Sequence, residues 1–505
     1  MKLNIRSCII VLLCELLVLL PACSHTPKIG TPAPPPPSGL GLLSKEIRKP
    51  YLTLFKMSPE LHFSSSKFTQ MQKFLQKGQS YCVGQFKAHA KKYKSEIAQD
   101  KKRLKPVSSG HNNGEQHALR CKIQSLRLLE SQARVLYKSA IPTAYANRQA
   151  KLQLIQKWPS DQKQIKNQLV NGQNLRCHWC DVKDIGFRMI AKGQKKDIPL
   201  GQEEAKRMKQ SGMMPPVVKD KEIDDYVNSV AQKVAKHSDL HIPLHVTVLN
   251  AREINAFSLP GGYVYVERGL LQAVDNESEL AGVIGHEIGH VVARHGHKLM
   301  HKREIAGMAY NAAQIAALVL TGGIASIGEY YALQYGFYGL GMVMNLRMLG
   351  VSRKFEMQAD QLGIQYAWNS DYDPYGFIKF FDKMATNEGY VNGVSWFHTH
   401  PPFYQRMVHA MQVIMFLPKK SHYIVNTTAF MKMKKELKKV TAKANKKAKN
   451  APSLELGGNA RGCAPPKKFE FKPNQPIEDL CHSPKLVTGK PQGANQPRSE
   501  MGSPQ

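Results

Sequence analysis

Carboxylates are scarce in this chain. Its 505 residues hold 38 Asp and Glu against 71 Lys and Arg, a formal charge of +33. The deficit is local. From Lys45 to Cys180 there are 26 Lys and Arg against 7 Asp and Glu, and from Lys419 to Lys449 there are 11 Lys against one Glu. Two basic arms therefore flank a middle that is close to neutral. Hydrophobic residues make up 42% of the chain, which suits a globular protein long enough for two or three domains. Repetition is missing: no 34-residue period is present, which excludes a tetratricopeptide array. Cysteine is thin, nine in all. Cys177-His178-Trp179-Cys180 has no second C-x-x-C to complete a zinc knuckle, and no thioredoxin-like pattern surrounds it.

The start of the chain lacks a run long enough to span a bilayer. Lys2 and Arg6 precede an apolar run, Cys8 to Leu20, that falls short of the roughly 20 residues a membrane helix needs. LLPACS follows. Leu20, Ala22 and Cys23 stand in the arrangement of a bacterial lipoprotein signal, cut before Cys23, which then takes lipid. Ser24 after that Cys resembles outer-membrane sorting, so the expected place is the periplasmic face of the outer membrane. A plain secretory signal or membrane anchor is the alternative. Thr31 to Gly39, TPAPPPPSG, reads as a stiff tether. For an exported chain nucleic acid is a poor partner. The basic arms then point to anionic lipid headgroups, lipopolysaccharide or acidic substrate segments, with a solubilising surface as the bland alternative. Cys82, Cys121, Cys177, Cys180, Cys463 and Cys481 remain after processing, an even number that suggests disulfides in an oxidising compartment. Cys463 with Cys481 is the simplest pairing, since both lie in the C-terminal extension.

What the middle does have is VIGHEIGHVVARHGH, Val283 to His297. His286 and His290 are four apart, which stacks both rings on one face of a helix. Glu287 can reach a water on a metal without binding the metal. This is the H-E-x-x-H pattern of zinc hydrolases. Ser278 reads as the helix cap. A metzincin would carry Gly seven and His ten residues after the first His; here Ala293 and Gly296 stand there. His295 and His297 therefore read as polar groups at the helix end, where a cation suits the C-terminal dipole. A third ligand is still needed. SRKFEMQADQLG, Ser352 to Gly363, offers Glu356 and Asp360 on one helical face. Glu356 can bind zinc, and Asp360 can accept the N–H of a ligand His.

Four segments in this order, INAFSLPGGYVYVERGLL, ELAGVIGHEIGHVVARH, SRKFEMQAD and THPPFYQRM, resemble family 48 of the zinc metallopeptidases, from about Glu203 to Leu417. Its periplasmic members are BepA- and LoiP-like and its membrane-bound members HtpX-like. The resemblance implies one zinc per chain on His286, His290 and Glu356, Glu287 as general base, and Asp360 behind the ligands. It also implies active-site roles for His400, which faces the zinc from a loop, and for Arg406. His400 is then expected to be an inhibitory fourth ligand at rest, with stabilisation of the oxyanion as its rival role. Met357 stands where many relatives carry a polar residue. Val264, Tyr265 and Val266 read as a strand. Asn255, Pro260, Gly261 and Gly262 read as a substrate-binding segment whose turn exposes backbone, so that an extended peptide can add to a sheet edge.

The expected fold is α+β: a mainly helical, zincin-type core with a small β-sheet, plus an N-terminal helical region. Phe68, Met71, Phe74 and Leu75 repeat at helical spacing, as do Leu126, Leu129, Val135 and Leu136, with a break at Ser108 to Gly114. The expected division is 1–22 signal peptide, 23–44 tether, 45–200 basic helical region, 201–417 zinc peptidase and 418–505 basic, largely disordered extension. Ile305–Gly328 and Tyr330–Leu346 carry no charge and read as a helical hairpin on the core, with a membrane span as the alternative. The expected function is a zinc endopeptidase of the envelope that degrades misfolded or unassembled envelope proteins. The rival is a non-catalytic assembly chaperone or envelope-binding lipoprotein with a structural zinc.

Overall fold

The computed structural model describes residues 47, 49–56, 64–104, 113–172, 190, 192–210, 214–251, 254–299, 353–386, 400, 404–450, 467–470, 477–482 and 484–488. The lipidation motif at Cys23, the tether, Cys177, Cys180, Cys463 and both apolar stretches between residues 305 and 346 lie outside them. Among the described residues no helix is long and apolar enough to cross a membrane.

The N-terminal part is helical. After the short α1 (Tyr51–Phe55) come α2 (Ser65–Arg103), α3 (Asn113–Val135) and α4 (Ile141–Val170), which continues α3 through a π turn at Leu136–Ala140. Met71, Leu75, Cys82 and Phe86 of α2 face Leu126, Leu129 and Ala133 of α3, all buried at helical spacing. These helices are not a separate appendage. The backbone N–H groups of Tyr51 and Leu52 donate to the Asp382 carboxylate, and α4 reaches a later helix through Gln168 and Gln412, 3.0 Å apart.

A turn of 3-10 helix (Gln194–Asp197) leads into α5 (Ile198–Gln210), followed by α6 (Lys221–Lys236). Asp220 caps α6 by accepting from Ile223 N at 3.1 Å. Ile223, Val227, Val230 and Val234 form its buried stripe. Strands β1 (His245–Leu249), β2 (Ala256–Leu259) and β3 (Tyr263–Glu267) build one sheet in the order β1-β3-β2, β1 parallel and β2 antiparallel to β3. The strand read at Val264–Val266 is thus the centre of the sheet, and the accessible edge beside the site belongs to β2.

Next come α7 (Arg268–Ala273), α8 (Glu277–Val292), α9 (Arg353–Asn369), α10 (Tyr375–Thr386) and α11 (Tyr404–Phe416). The cap of α8 is Asn276, not Ser278: its Oδ1 accepts from Glu279 N at 2.9 Å, and the helix starts two residues earlier than the motif alone suggested. α8 packs against α9 at glycine distance. A Cβ at Gly285 would stand 2.7 Å from Gly363 O, and one at Gly363 would stand 2.5 Å from His286 N. Only this approach lets side chains of α9 reach those of α8.

Part of the C-terminal extension lies among the described residues. α12 (Thr428–Asn450) buries Phe430, Met433 and Leu437 along one stripe that the lysine count obscures. Lys434 caps α7 by donating to the carbonyls of Leu271, Gln272 and Val274. Beyond it, β4 (Lys467–Phe469), α13 (Ile477–His482) and β5 (Leu486–Thr488) return to the N-terminal helices. Phe469 lies edge-on to Phe86 at 5.3 Å, and Cys481 is disulfide-bonded to Cys82. This overturns the pairing of Cys463 with Cys481, because α13 lies against α2 and sets Cys481 beside Cys82.

Candidate metal centre

His286 and His290 project from one face of α8 with their Nε2 atoms 3.0 Å apart. His286 is completely buried, and Phe377 of α10 stacks behind it at 5.6 Å. The first turn of α9 brings in Glu356, whose carboxylate lies 3.7 Å from His286 and 3.5 Å from His290. His400 arrives from the stretch before α11. Its Nδ1 is 3.1 Å from His286 Nε2 and 2.9 Å from Glu356 Oε2. Asp360, one turn beyond Glu356, stands 2.8 Å from His286 Nδ1. Arg406 of α11 is fully buried and ties the group together: its guanidinium pairs with both oxygens of Asp360, lies 3.1 Å from Glu356 and donates to the His400 carbonyl at 2.8 Å. The helical spacing of the two motifs and the late loop converge on one point.

The convergence has the shape and charge of a metal site. One donor atom from each of His286, His290, Glu356 and His400 lies within 4.8 Å of the others. Ligands around a tetrahedral ion at about 2.0–2.1 Å are separated by about 3.3–3.4 Å, and five of the six residue pairs here approach to between 2.9 and 3.7 Å. Burial and the facing His400 hold His286 well below the ordinary imidazole value, and burial and His286 do the same to His290, so both rings are neutral. Burial opposes ionisation of Glu356, yet His400 and Arg406 beside it hold its carboxyl well below the usual carboxylate range. Glu356 Oε1 is buried with no hydrogen-bond partner among the described residues. Three buried carboxyl groups, on Glu287, Glu356 and Asp360, face one guanidinium. A dication brings that sum to zero, where its absence leaves a buried surplus of negative charge. The residues therefore fit a divalent ion with mixed nitrogen and oxygen donors.

Glu287 is buried beside the donors. It accepts from Ser258 Oγ at 3.1 Å, and its Oε1 stands 3.5 Å from His400 Nε2. The segment expected to bind substrate divides in two. Asn255 is buried, and its carbonyl accepts from Glu267 N within the sheet. Pro260, Gly261 and Gly262 are buried as well, which corrects the expectation of an exposed turn. A Cβ at Gly201 would stand 1.9 Å from Pro260 O and one at Gly261 2.7 Å from Asp197 O, so the residues around α5 cover the turn. What stays accessible is Ser258 and Leu259 of β2, both half-buried.

His295, expected as a polar group at the helix end, lies inside the fold instead. It is 1% exposed, and burial lowers its pKa to about 4, so the ring is neutral. Its Nδ1 lies 2.9 Å from His290 Nδ1. No spacing rule reveals this contact, since residues five apart do not share a helix face. His297, by contrast, reaches away to Asp197 at 2.9 Å.

Comparison with known proteins agrees with this geometry. The profile of peptidase family M48 matches residues 220–414. The chain is 32% identical over 182 residues to the beta-barrel assembly-enhancing protease of Yersinia pestis, an alignment covering 35% of this chain and 36% of that protein. It is 32% identical over 180 residues to the protein of the same name from Escherichia coli strain K12, covering 35% of each. It is 32% identical over 187 residues to the mitochondrial metalloendopeptidase OMA1 of Schizosaccharomyces pombe, covering 36% of this chain and 50% of that one. The chain thus spans only about a third of the length of the bacterial relatives it matches. Residues 220–414, which contain the whole donor cluster, are thus similar to peptidase family M48.

Proposed function

We propose that the chain is a zinc endopeptidase of the bacterial cell envelope that degrades misfolded or unassembled envelope proteins. The observation that carries the reading is Glu287, a buried carboxyl beside four convergent donors and outside the donor set. A structural metal site has no use for such a group, which disfavours the rival reading of a non-catalytic chaperone. One zinc ion on His286, His290 and Glu356 would supply Lewis acidity and acidify a hydrolytic water. Glu287 takes the proton of that water as it attacks the scissile carbonyl and hands it to the leaving amine. Ser258 Oγ orients Glu287, Asp360 orients His286, and Arg406 holds Asp360. An extended polypeptide adds to β2 along Ser258 and Leu259, which aims its carbonyl at Glu287.

The envelope setting is supported by the lipoprotein-like motif at Cys23, by the Cys82–Cys481 disulfide and by bacterial relatives named for β-barrel assembly. In this reading lipid on Cys23 anchors the chain to the periplasmic face of the outer membrane. Exposed lysines such as Lys87, Lys91 and Lys94 on α2 and Lys435 and Lys438 on α12 contact anionic lipid or lipopolysaccharide. The test is zinc analysis with cleavage of unfolded envelope proteins by wild type and Glu287→Gln. The variant is expected to keep about one zinc and lose on the order of 10²-fold or more in cleavage. Equal cleavage by both refutes the assignment.

A further inference from the structure

His295 lies outside the donor set, and the proposed reaction makes no use of it. We infer that His295 is a positioning residue for the metal site: its Nδ1 accepts the Nδ1–H of His290, its Nε2–H donates to Gln358, and His290 is thereby fixed with a bare Nε2 toward the metal. The inference rests on the metal reading above and extends it to two residues beyond the donor set, His295 and Gln358.

The proton positions follow from the contacts. His290 binds through Nε2, the atom 3.0 Å from His286 Nε2 and 3.5 Å from Glu356. A neutral imidazole bare at Nε2 carries its proton on Nδ1. His290 Nδ1 faces His295 Nδ1 at 2.9 Å, which must then be the acceptor. That leaves the His295 proton on Nε2, which faces Gln358 Oε1 at 3.1 Å, an atom that only accepts. The opposite polarity would aim an N–H of His290 into the donor cluster.

The fold makes this chain of contacts possible by ending α8 abruptly. α8 stops at Val292, and Arg294 takes a left-handed conformation, φ 58°, that residues other than glycine rarely adopt. Asp197 holds Arg294 there with two bonds of 2.6 Å, and Lys192 O accepts a third at 2.8 Å. The turn folds His295 back under His290 and lays its ring on Phe355 at 4.2 Å and 13°. Phe355 and Gln358 flank Glu356 in sequence. One side chain therefore joins the second donor, on α8, to the helical turn that carries the third. The choice of imidazole also suits the charge. His286 already leans on a carboxylate, and a second one at position 295 would spoil the balance of three carboxyl groups against one guanidinium and a dication.

The test is the zinc dissociation constant of the full chain, by competition with a chelator, for wild type, His295→Phe, His295→Asn and Gln358→Leu, with apo-protein melting measured alongside. His295→Phe keeps the stack on Phe355 and removes both nitrogens. It is expected to weaken zinc about 10- to 100-fold. His295→Asn returns an acceptor near the place of Nδ1 and is expected to recover most of the loss, and Gln358→Leu to show a smaller one. A merely structural role predicts the reverse, a lower apo melting temperature at unchanged zinc affinity. Wild-type affinity in a folded His295→Phe overturns the inference. Should that variant not fold, Gln358→Leu decides in its place, and wild-type affinity there overturns it too. A wild-type chain that binds no zinc refutes the underlying metal reading instead, and the inference with it.

Discussion

Removing the imidazole of His400 separates two roles of opposite sign. Its Nδ1 stands 2.9 Å from Glu356 and 3.1 Å from His286 Nε2, and its Nε2 stands 3.5 Å from Glu287. The ring therefore occupies the space between donors and base, where a water and a substrate carbonyl have to meet. Arg406 pins its carbonyl from behind. As a latch, His400 must swing out before each cleavage. Its contact with the Glu356 carboxylate is of the charged type, worth about 1.5–3 kcal/mol, and each 1.4 kcal/mol is about tenfold. His400→Ala should then raise basal cleavage of a loose substrate such as casein on the order of 10- to 100-fold, while His286, His290 and Glu356 retain about one zinc. An oxyanion-stabilising role predicts a fall of about 10²- to 10³-fold instead. The assay is casein cleavage at saturating zinc with the metal content measured on the same sample. A clear loss of activity at full occupancy refutes the latch, and Arg406→Lys then tests Arg406 as the partner of His400 in catalysis.

Burial raises the pKa of Asp382 to about 6, against the pull of the Leu52 and Tyr51 N–H groups. The folded chain then holds a proton that the unfolded chain has lost, so this group's contribution is complete below about pH 4 and disappears as pH rises to about 6. At about 1.4 kcal/mol per unit it is worth at most about 3 kcal/mol, and Asp382→Asn should flatten the change in urea midpoint across that window; equal slopes in both proteins would contradict it. Cys481→Ser should cost about 2–4 kcal/mol in denaturant unfolding of the N-terminal helices while leaving zinc content intact, and non-reducing peptide mapping should recover Cys82 linked to Cys481. Cys23→Ser should release the protein from membranes. Retention after a high-salt wash would instead favour Ile305–Gly328 as a span, and release by salt alone would make the basic arms the anchor.

Local spacing carried much of the site. His286 and His290, and Glu356 and Asp360, are four apart, and a helix of 3.6 residues per turn places each pair on one face whatever surrounds it. The same period placed Met71 and Leu75 in the core of α2 and separated Glu287 from the donors. His400 and Arg406 were legible only through a resemblance, because nothing in their own stretch says what they face. The partners across the fold belong to tertiary structure alone. Cys481 meets Cys82 because β4 and α13 return to α2, across 399 residues. His295 meets His290 because Arg294 breaks the helix under the hold of Asp197. The Pro260 turn is covered because Gly201 admits its carbonyl, and that leaves β2 as the edge. A helical period constrains only residues within a turn or so of one another, whereas these contacts depend on how closely two backbones can approach. At Gly285 and Gly363 that approach is set by the absence of a side chain, and it brings the carboxylates of α9 to the histidines of α8.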